Sequence, residues 1–177
     1  LMQVLRHDYQ TFTHSTNVSF FGVMLARAWG VSDRNDLERI AAGALLHDIG
    51  KLDIPDALLT KRGRPTEKEW ETLKKHPTTG FHLLARRDDL TLGQLMMVYQ
   101  HHERLDGGGY PVGVTEKEIH PWAQLCAVVD VYEALSSHRP YRPAMPLRET
   151  IGILERQVGG QLNPDMWRCW KQIISSD

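Results

Sequence analysis

Apolar residues recur at helical spacing along nearly all of this 177-residue chain, and no stretch sustains the two-residue alternation of a half-buried strand. That pattern excludes a sheet-built core and predicts an all-α fold. Val18, Phe21, Leu25 and Ala28 mark the inward side of a first helix that stops at Gly30. A second helix is expected from about Asp36 to Asp48, with Leu37, Ile40, Ala41, Ala44 and Leu45 inward. Thr66-Glu-Lys-Glu69 is a capping box opening a third helix, and Pro77 ends that helix by restricting the backbone of His76. Pro77 can itself open the next helix, through about Arg86. Further helices are expected from Thr91 to about His102, from about Trp122 to Ser136, from Leu147 to Val158 and, behind an Asn163 N-cap, from Pro164 to Ile174. The glycine-rich stretch from Glu103 to Val114 cannot sustain a helix, Thr115-Glu-Lys-Glu118 reads as a capped turn, and Arg139 to Pro143 reads as loop. With no linker or repeat, residues 1–177 read as one compact domain of about seven or eight helices.

Composition narrows the function. Lys plus Arg is 21 against 22 Asp plus Glu, a net charge of −1, which argues against a bulk electrostatic grip on DNA or RNA. The longest apolar run, Phe20 to Ala26, is far too short to span a bilayer, and no basic-then-apolar leader opens the chain, so a soluble segment is expected. Cys126 and Cys169 fall in helical patterns without metal-type spacing and read as small core residues in a reducing compartment.

The nine histidines are the unusual component. His47-Asp48 closes an almost purely apolar helix, so a carboxylate reaches the edge of a core, which is costly unless something pairs with it. Imidazole beside carboxylate suits Zn, Fe, Mn or Ni, and one Asp can bridge two such ions. Taken alone, the dipeptide also reads as a solvated helix end, and His14 on its apolar stripe as a satisfied core histidine. His76 sits at a helix boundary, His101-His102 with Glu103 and Asp106 crowds a helix end, and Asp130 is a lone acid within the apolar run Leu125 to Val131. Each has a bland explanation; together they point to one polynuclear metal site. His7, His82, His120 and His138 lack such settings and read as solvated or supporting groups.

His14, His47-Asp48 and Asp130 match the scattered signature of the HD-domain phosphohydrolases, with Leu46-His-Asp-Ile-Gly-Lys51 as its core. His76-Pro77, the stretch His101-His-Glu-Arg-Leu-Asp-Gly-Gly-Gly-Tyr-Pro111, Asp130-Val-Tyr-Glu-Ala-Leu135 and Arg139-Pro-Tyr-Arg142 resemble the HD-GYP subfamily over about residues 8 to 165. The resemblance implies a helical HD-domain fold and hydrolysis of cyclic di-GMP, a bacterial second messenger, in the cytoplasm. It makes His14, His47, Asp48, His76, His101, His102 and Asp130 metal ligands with Asp48 as the bridge. It also sets Lys51 on the scissile phosphate, Gly109, Tyr110 and Pro111 beside the substrate, and Arg139 and Arg142 on phosphate or guanine.

The chain departs from that pattern at Gln10, where three-metal members carry Glu, at Gln124 for a usual Arg, at Glu133 for a shorter acid, and at Asn163 for Asp. Gln10 is a poor ligand, so two ions rather than three are expected, iron or manganese first, with nickel or zinc also compatible, and Gln124 bears on how the substrate fits. The mechanism so implied is in-line attack on phosphorus by a metal-bridging hydroxide, giving linear pGpG and, after a second round, GMP. Rival readings are hydrolysis of another cyclic dinucleotide, or a sensor that binds nucleotide and signals to a partner without turnover. Residue 1 is Leu and the first ligand comes within fourteen residues, so an upstream regulatory domain in a longer chain is expected, with a dimer or a signalling partner left open.

Overall fold

The computed structural model describes residues 9–61, 63–138 and 143–175. Its α-helices are α1 (Tyr9–Ala28), α2 (Arg34–Leu46), α3 (Asp56–Leu59), α4 (Glu67–Leu73), α5 (His76–Leu84), α6 (Leu92–Gln100), α7 (Pro121–Ser136), α8 (Leu147–Glu155) and α9 (Pro164–Ser175). Two 3-10 turns, Ile49–Asp53 and Glu116–Glu118, complete the order. Among the described residues the only β-type pairings are the isolated bridges Asp106–Thr115 and Val158–Leu162, so the all-α expectation holds.

Local chemistry explains the boundaries. Asp33 caps α2 by accepting from Asp36 N, Thr66 and Glu69 form the expected capping box of α4, and Asn163 Oδ1 accepts from Asp165 N and Met166 N at the start of α9. Pro77 lies in the first turn of α5, where its missing N–H costs nothing. One boundary matters for function: α2 stops at Leu46, with His47 as its C-cap, and Asp48 leaves helical geometry at φ −98°, ψ 9°. The sequence pattern had carried that helix through Asp48, and Ala28, expected inward, is exposed.

The core is organised around α7, in which every residue from Ala123 to Asp130 is buried. α1, α6, α8 and α9 all pack against α7, while α2 lies between α1 and α6. Val18, Leu25, Ile40, Met97, Leu125 and Leu154 are fully or almost fully buried at this junction, each such side chain contributing roughly 1.5–3 kcal/mol of transfer free energy. α5 packs against α6 and the Ile49–Asp53 turn, bringing the segment after His47-Asp48 against the start of the helix that carries His76. Cys126 is buried in α7, Cys169 is half-buried in α9, and both thiols are free. No helix among the described residues is long and apolar enough to cross a membrane.

Candidate metal centre

Burying a carboxylate beside five imidazoles is unfavourable unless every group is oriented for a common purpose. His14 comes from α1, His47 and Asp48 from the end of α2, His76 from the first residue of α5, His101 and His102 from the end of α6, and Asp130 from α7. These segments are far apart in sequence, and the packing of α1 and α6 on α7, with α2 between α1 and α6 and α5 on α6, brings all seven residues to one place.

Asp48 is the centre of the arrangement, and its two oxygens face different partners. Oδ2 lies 3.3 Å from His47 Nε2, 3.7 Å from His14 Nε2 and 2.5 Å from Lys51 Nζ. Oδ1 lies 3.2 Å from His76 Nε2 and 3.8 Å from His101 Nε2. Two donor sets with chelating geometry result: His14, His47 and Asp48 on one side, and Asp48, His76, His101 and His102 on the other. Asp130 stands with the first set, its Oδ1 3.0 Å from His14 Nε2 and 3.9 Å from His47 Nε2.

In four of the five imidazoles the opposite ring nitrogen is held. His47 Nδ1 donates to Ala44 O at 2.7 Å, His76 Nδ1 to Leu73 O at 2.8 Å, and His101 Nδ1 to the carbonyls of Val98 and Met97 at 3.0 and 3.1 Å. A proton on Nδ1 leaves the Nε2 lone pair turned into the cleft, which is how proteins prepare imidazoles for cations. His14 Nδ1 is held instead by the carboxylate of buried Glu133, which also accepts from Asn17 Nδ2 at 3.1 Å. Glu133 is the supporting residue that the sequence reading noted only as a departure. Its position one helical turn beyond Asp130, and so on the same face of α7, was the available signal.

Electrostatics follow from this geometry. Burial pushes His76 down to about 3 and His102 to about 4, and holds His101 well below the usual histidine range, so these rings are neutral ligands near neutral pH. Burial also opposes charge on His14, but hydrogen bonds to Asp130 and Glu133 outweigh it and raise the imidazole to about 9. For Asp48 and Asp130 burial is likewise the opposing influence; Lys51 and the His47 ring keep Asp48 ionised, and His14 keeps Asp130 ionised. His47 Nε2 and Asp48 Oδ1 are buried without a hydrogen-bond partner, an arrangement costing roughly 1–3 kcal/mol per atom unless a cation takes the lone pairs. The donor set therefore fits divalent metal ions of the type that accept mixed imidazole and carboxylate ligands.

The glycine-rich loop is built against the second donor set. Buried Glu103 accepts from Val112 N at 2.7 Å and Gly113 N at 3.0 Å, so it staples the loop. Asp106 Oδ1 accepts from Gly108 N at 2.8 Å, closing a tight turn. A Cβ at Gly109 would sit 2.4 Å from Arg104 N, so only glycine lets the chain pass so close to the end of α6. Tyr110 N donates to His102 O, and the Tyr110 ring lies over His102 with centroids 4.7 Å apart and planes 30° apart.

Gln124, expected to bear on substrate fit, serves another role: Nε2 donates to Glu116 O and Ile119 O, while Oε1 accepts from Asn163 Nδ2. An arginine at this position would lack the acceptor that Asn163 uses. His120 caps α7 by accepting from Trp122 N, and His82 and His138 are exposed. His7, Arg139, Arg142 and the side chain of Gln10 lie outside the described residues.

The family model for the HD domain matches residues 3–166. The chain belongs to the HD domain family. The cyclic di-GMP phosphodiesterase of Thermotoga maritima is 38% identical to this HD domain over 161 residues, 90% of this chain and 43% of that protein. The cyclic di-GMP phosphodiesterase response regulator RpfG of Xanthomonas campestris is 38% identical over 164 residues, 92% of this chain and 42% of its own length. The 3'3'-cGAMP-specific phosphodiesterase 3 of Vibrio cholerae is 34% identical over 166 residues, 93% and 35% of the two chains. The HD domain thus spans about two fifths of the length of the curated relatives it matches. Among solved structures, Bd1817, an HDG"Y"P protein from Bdellovibrio bacteriovorus, superposes with a TM-score of 0.79 at 23% identity over 94% of this chain and 53% of its own. These structural likenesses establish the fold.

Proposed function

We propose that this HD domain is a metal-dependent phosphodiesterase that opens cyclic di-GMP to linear pGpG and then, in a second round, to GMP. The observation that carries the reading is the division of labour at Asp48, whose two buried oxygens face separate histidine sets while Lys51 Nζ lies against Oδ2. Named relatives that hydrolyse cyclic dinucleotides support the substrate class.

His14, His47, Asp48 and Asp130 would hold one ion, and Asp48, His76, His101 and His102 a second. Iron or manganese is the first assignment, and nickel or zinc also suits the donors. The neutral amide of Gln10 argues against a third ion. Bound ions supply Lewis acidity that brings the pKa of water near neutrality and positive charge for the non-bridging phosphate oxygens. In the reaction, water oxygen bonds to phosphorus as the bond from phosphorus to the 3′ oxygen breaks, a proton passes to that 3′ oxygen, and one water is added per phosphodiester bond cleaved.

The chain's own groups orient that event. Lys51, carried on the turn after Asp48, is placed to neutralise charge on the phosphate as it develops, a contribution valued at ~3–4 kcal/mol for well-placed donors. Glu133 fixes the His14 ring through Nδ1, so His14 Nε2 stays directed at Asp130 and Asp48. Burial, followed by the charges of Asp48 and Asp130, keeps the Tyr110 phenol protonated, so it faces the substrate as a neutral donor. Arg139 and Arg142 would grip the second phosphate or guanine, and Gly109 and Pro111 would shape the wall beside it. The reading places the domain in the bacterial cytoplasm, attached to an upstream regulatory domain.

The test is hydrolysis by protein reconstituted with Mn or Fe, using cyclic di-GMP, 3'3'-cGAMP and cyclic di-AMP, with nucleotide products separated. The expected result is pGpG from cyclic di-GMP and none from Asp48→Ala. Preference for the mixed cycle would move the substrate assignment, and tight binding without product under any metal would make the domain a sensor.

A further inference from the structure

Trp70 does not belong to the core. It is 46% exposed, and α4, the seven-residue helix that carries it, buries none of its residues. α4 is nevertheless tied to a neighbouring segment at its start. Glu69 Oε2 accepts both from Thr66 N at 2.7 Å and from Lys61 Nζ at 2.6 Å, which ties the helix start to the segment that follows α3. With no side chain of α4 buried, the helix sets Trp70 at the surface.

Its indole ends a continuous run of rings leading out of the metal centre. His76 and His102 have centroids 5.0 Å apart, His102 and Tyr110 4.7 Å, and Tyr110 and Trp70 6.2 Å at an interplanar angle of 78°. Tyr110 spends one face on His102 and an edge contact on Trp70, so it is a wall of the cleft with little ring surface left over. Among the described residues, Tyr110 is the one ring in contact with Trp70. Trp70 is therefore the exposed ring in which this run reaches the surface, and partly exposed Lys51 lies on Asp48 to receive phosphate. A nucleotide whose phosphate meets Lys51 carries a flat base outward from that point, and an indole offers the largest face on which any base can stack.

We propose that Trp70 is the platform on which one base of the cyclic dinucleotide stacks, making it a specificity residue for a base-bearing phosphodiester. The proposal rests on the phosphodiesterase reading. Stacking at a distance from the breaking bond holds ground state and transition state alike, so its loss raises KM and leaves kcat.

The experiment compares metal-loaded wild type, Trp70→Ala and Trp70→Phe on cyclic di-GMP, with metal content measured for each and with a fluorescence titration of the indoles by the same nucleotide. Trp70→Ala should raise KM roughly tenfold or more with kcat and metal content retained. Trp70→Phe should restore most of the KM, because it keeps a stacking face, and should lose the nucleotide-dependent quench. An unchanged KM in Trp70→Ala, or parallel losses of kcat and metal, overturns the platform, the latter by showing that Trp70 merely props Tyr110. If wild type forms no product from any cyclic dinucleotide, the phosphodiesterase reading fails and fluorescence decides Trp70 separately: a quench lost in Trp70→Phe upholds the platform, and one that survives overturns it.

Discussion

Gly50→Ala is expected to dismantle the metal centre from outside it. An ideal Cβ at Gly50 would lie 2.0 Å from His76 O and 2.6 Å from Gly80 N, where ordinary contact begins near 3.4 Å. Both opposing atoms are backbone, so no side chain can swing away, and the Ile49–Asp53 turn and α5 must part by on the order of 1 Å. Those two segments flank the contact between Asp48 Oδ1 and His76 Nε2, now 3.2 Å. Ligand distances tolerate only about 0.2 Å, so the shared carboxylate should no longer serve the His76 side. Overpacking of this kind costs ~1–3 kcal/mol, or about 2–12 °C in Tm at ~2–4 °C per kcal/mol for a domain of this size. Gly152→Ala is the control: in α8 its Cβ would meet only Arg156 Nη1 at 3.8 Å, so Tm should hold or rise. The assay is calorimetric Tm and metal content for both variants. A Gly50→Ala protein with wild-type metal content and Tm within about 1 °C of wild type would refute the reasoning.

Lys51→Ala should keep metal and lose turnover, whereas Arg139→Ala should chiefly raise the KM for cyclic di-GMP; full metal loading with an unchanged rate in Lys51→Ala would remove the phosphate role from that residue. Glu133→Ala should weaken metal affinity roughly 10- to 100-fold by freeing the His14 ring, measured by competition with a chelating dye, and unchanged affinity would show that His14 is oriented by other contacts. The pH dependence of the metal-free protein has a definite sign. His14 is raised from 6.5 to about 9, so its stabilisation is present below pH 6.5 and lost as pH climbs towards 9. Tm of metal-free protein should fall across that window, and metal binding at pH 7.5 should release a proton, seen as a buffer-dependent heat; a flat Tm and buffer-independent heat would contradict it.

Helix positions were legible in the sequence because burial on one face imposes a period that a single chain displays. The ligand residues were legible because His and Asp are costly on apolar faces, and the pairing of His47 with Asp48 is local. What sequence could not display is contact across distance. Glu133 bonds His14 over a separation of 119 residues; its place one turn beyond Asp130 marks the face it shares but not the partner it meets. Gln124 looked like a substrate position, yet its amide is consumed by carbonyls of the Glu116–Glu118 region and by Asn163, partners apparent only after α7 and α9 pack. Trp70 carries no signal of its own in the sequence pattern. Its exposure beside Tyr110 depends on where α4 sits, which periodicity does not specify.

The central claim is that Asp48 is shared by two ions, and anomalous diffraction from metal-loaded crystals at the absorption edge of the loaded metal tests it most directly. Two peaks are expected on opposite sides of Asp48, one among His14, His47 and Asp130 and the other among His76, His101 and His102. A single peak, a third of equal height, or two peaks that do not share Asp48 would contradict the account.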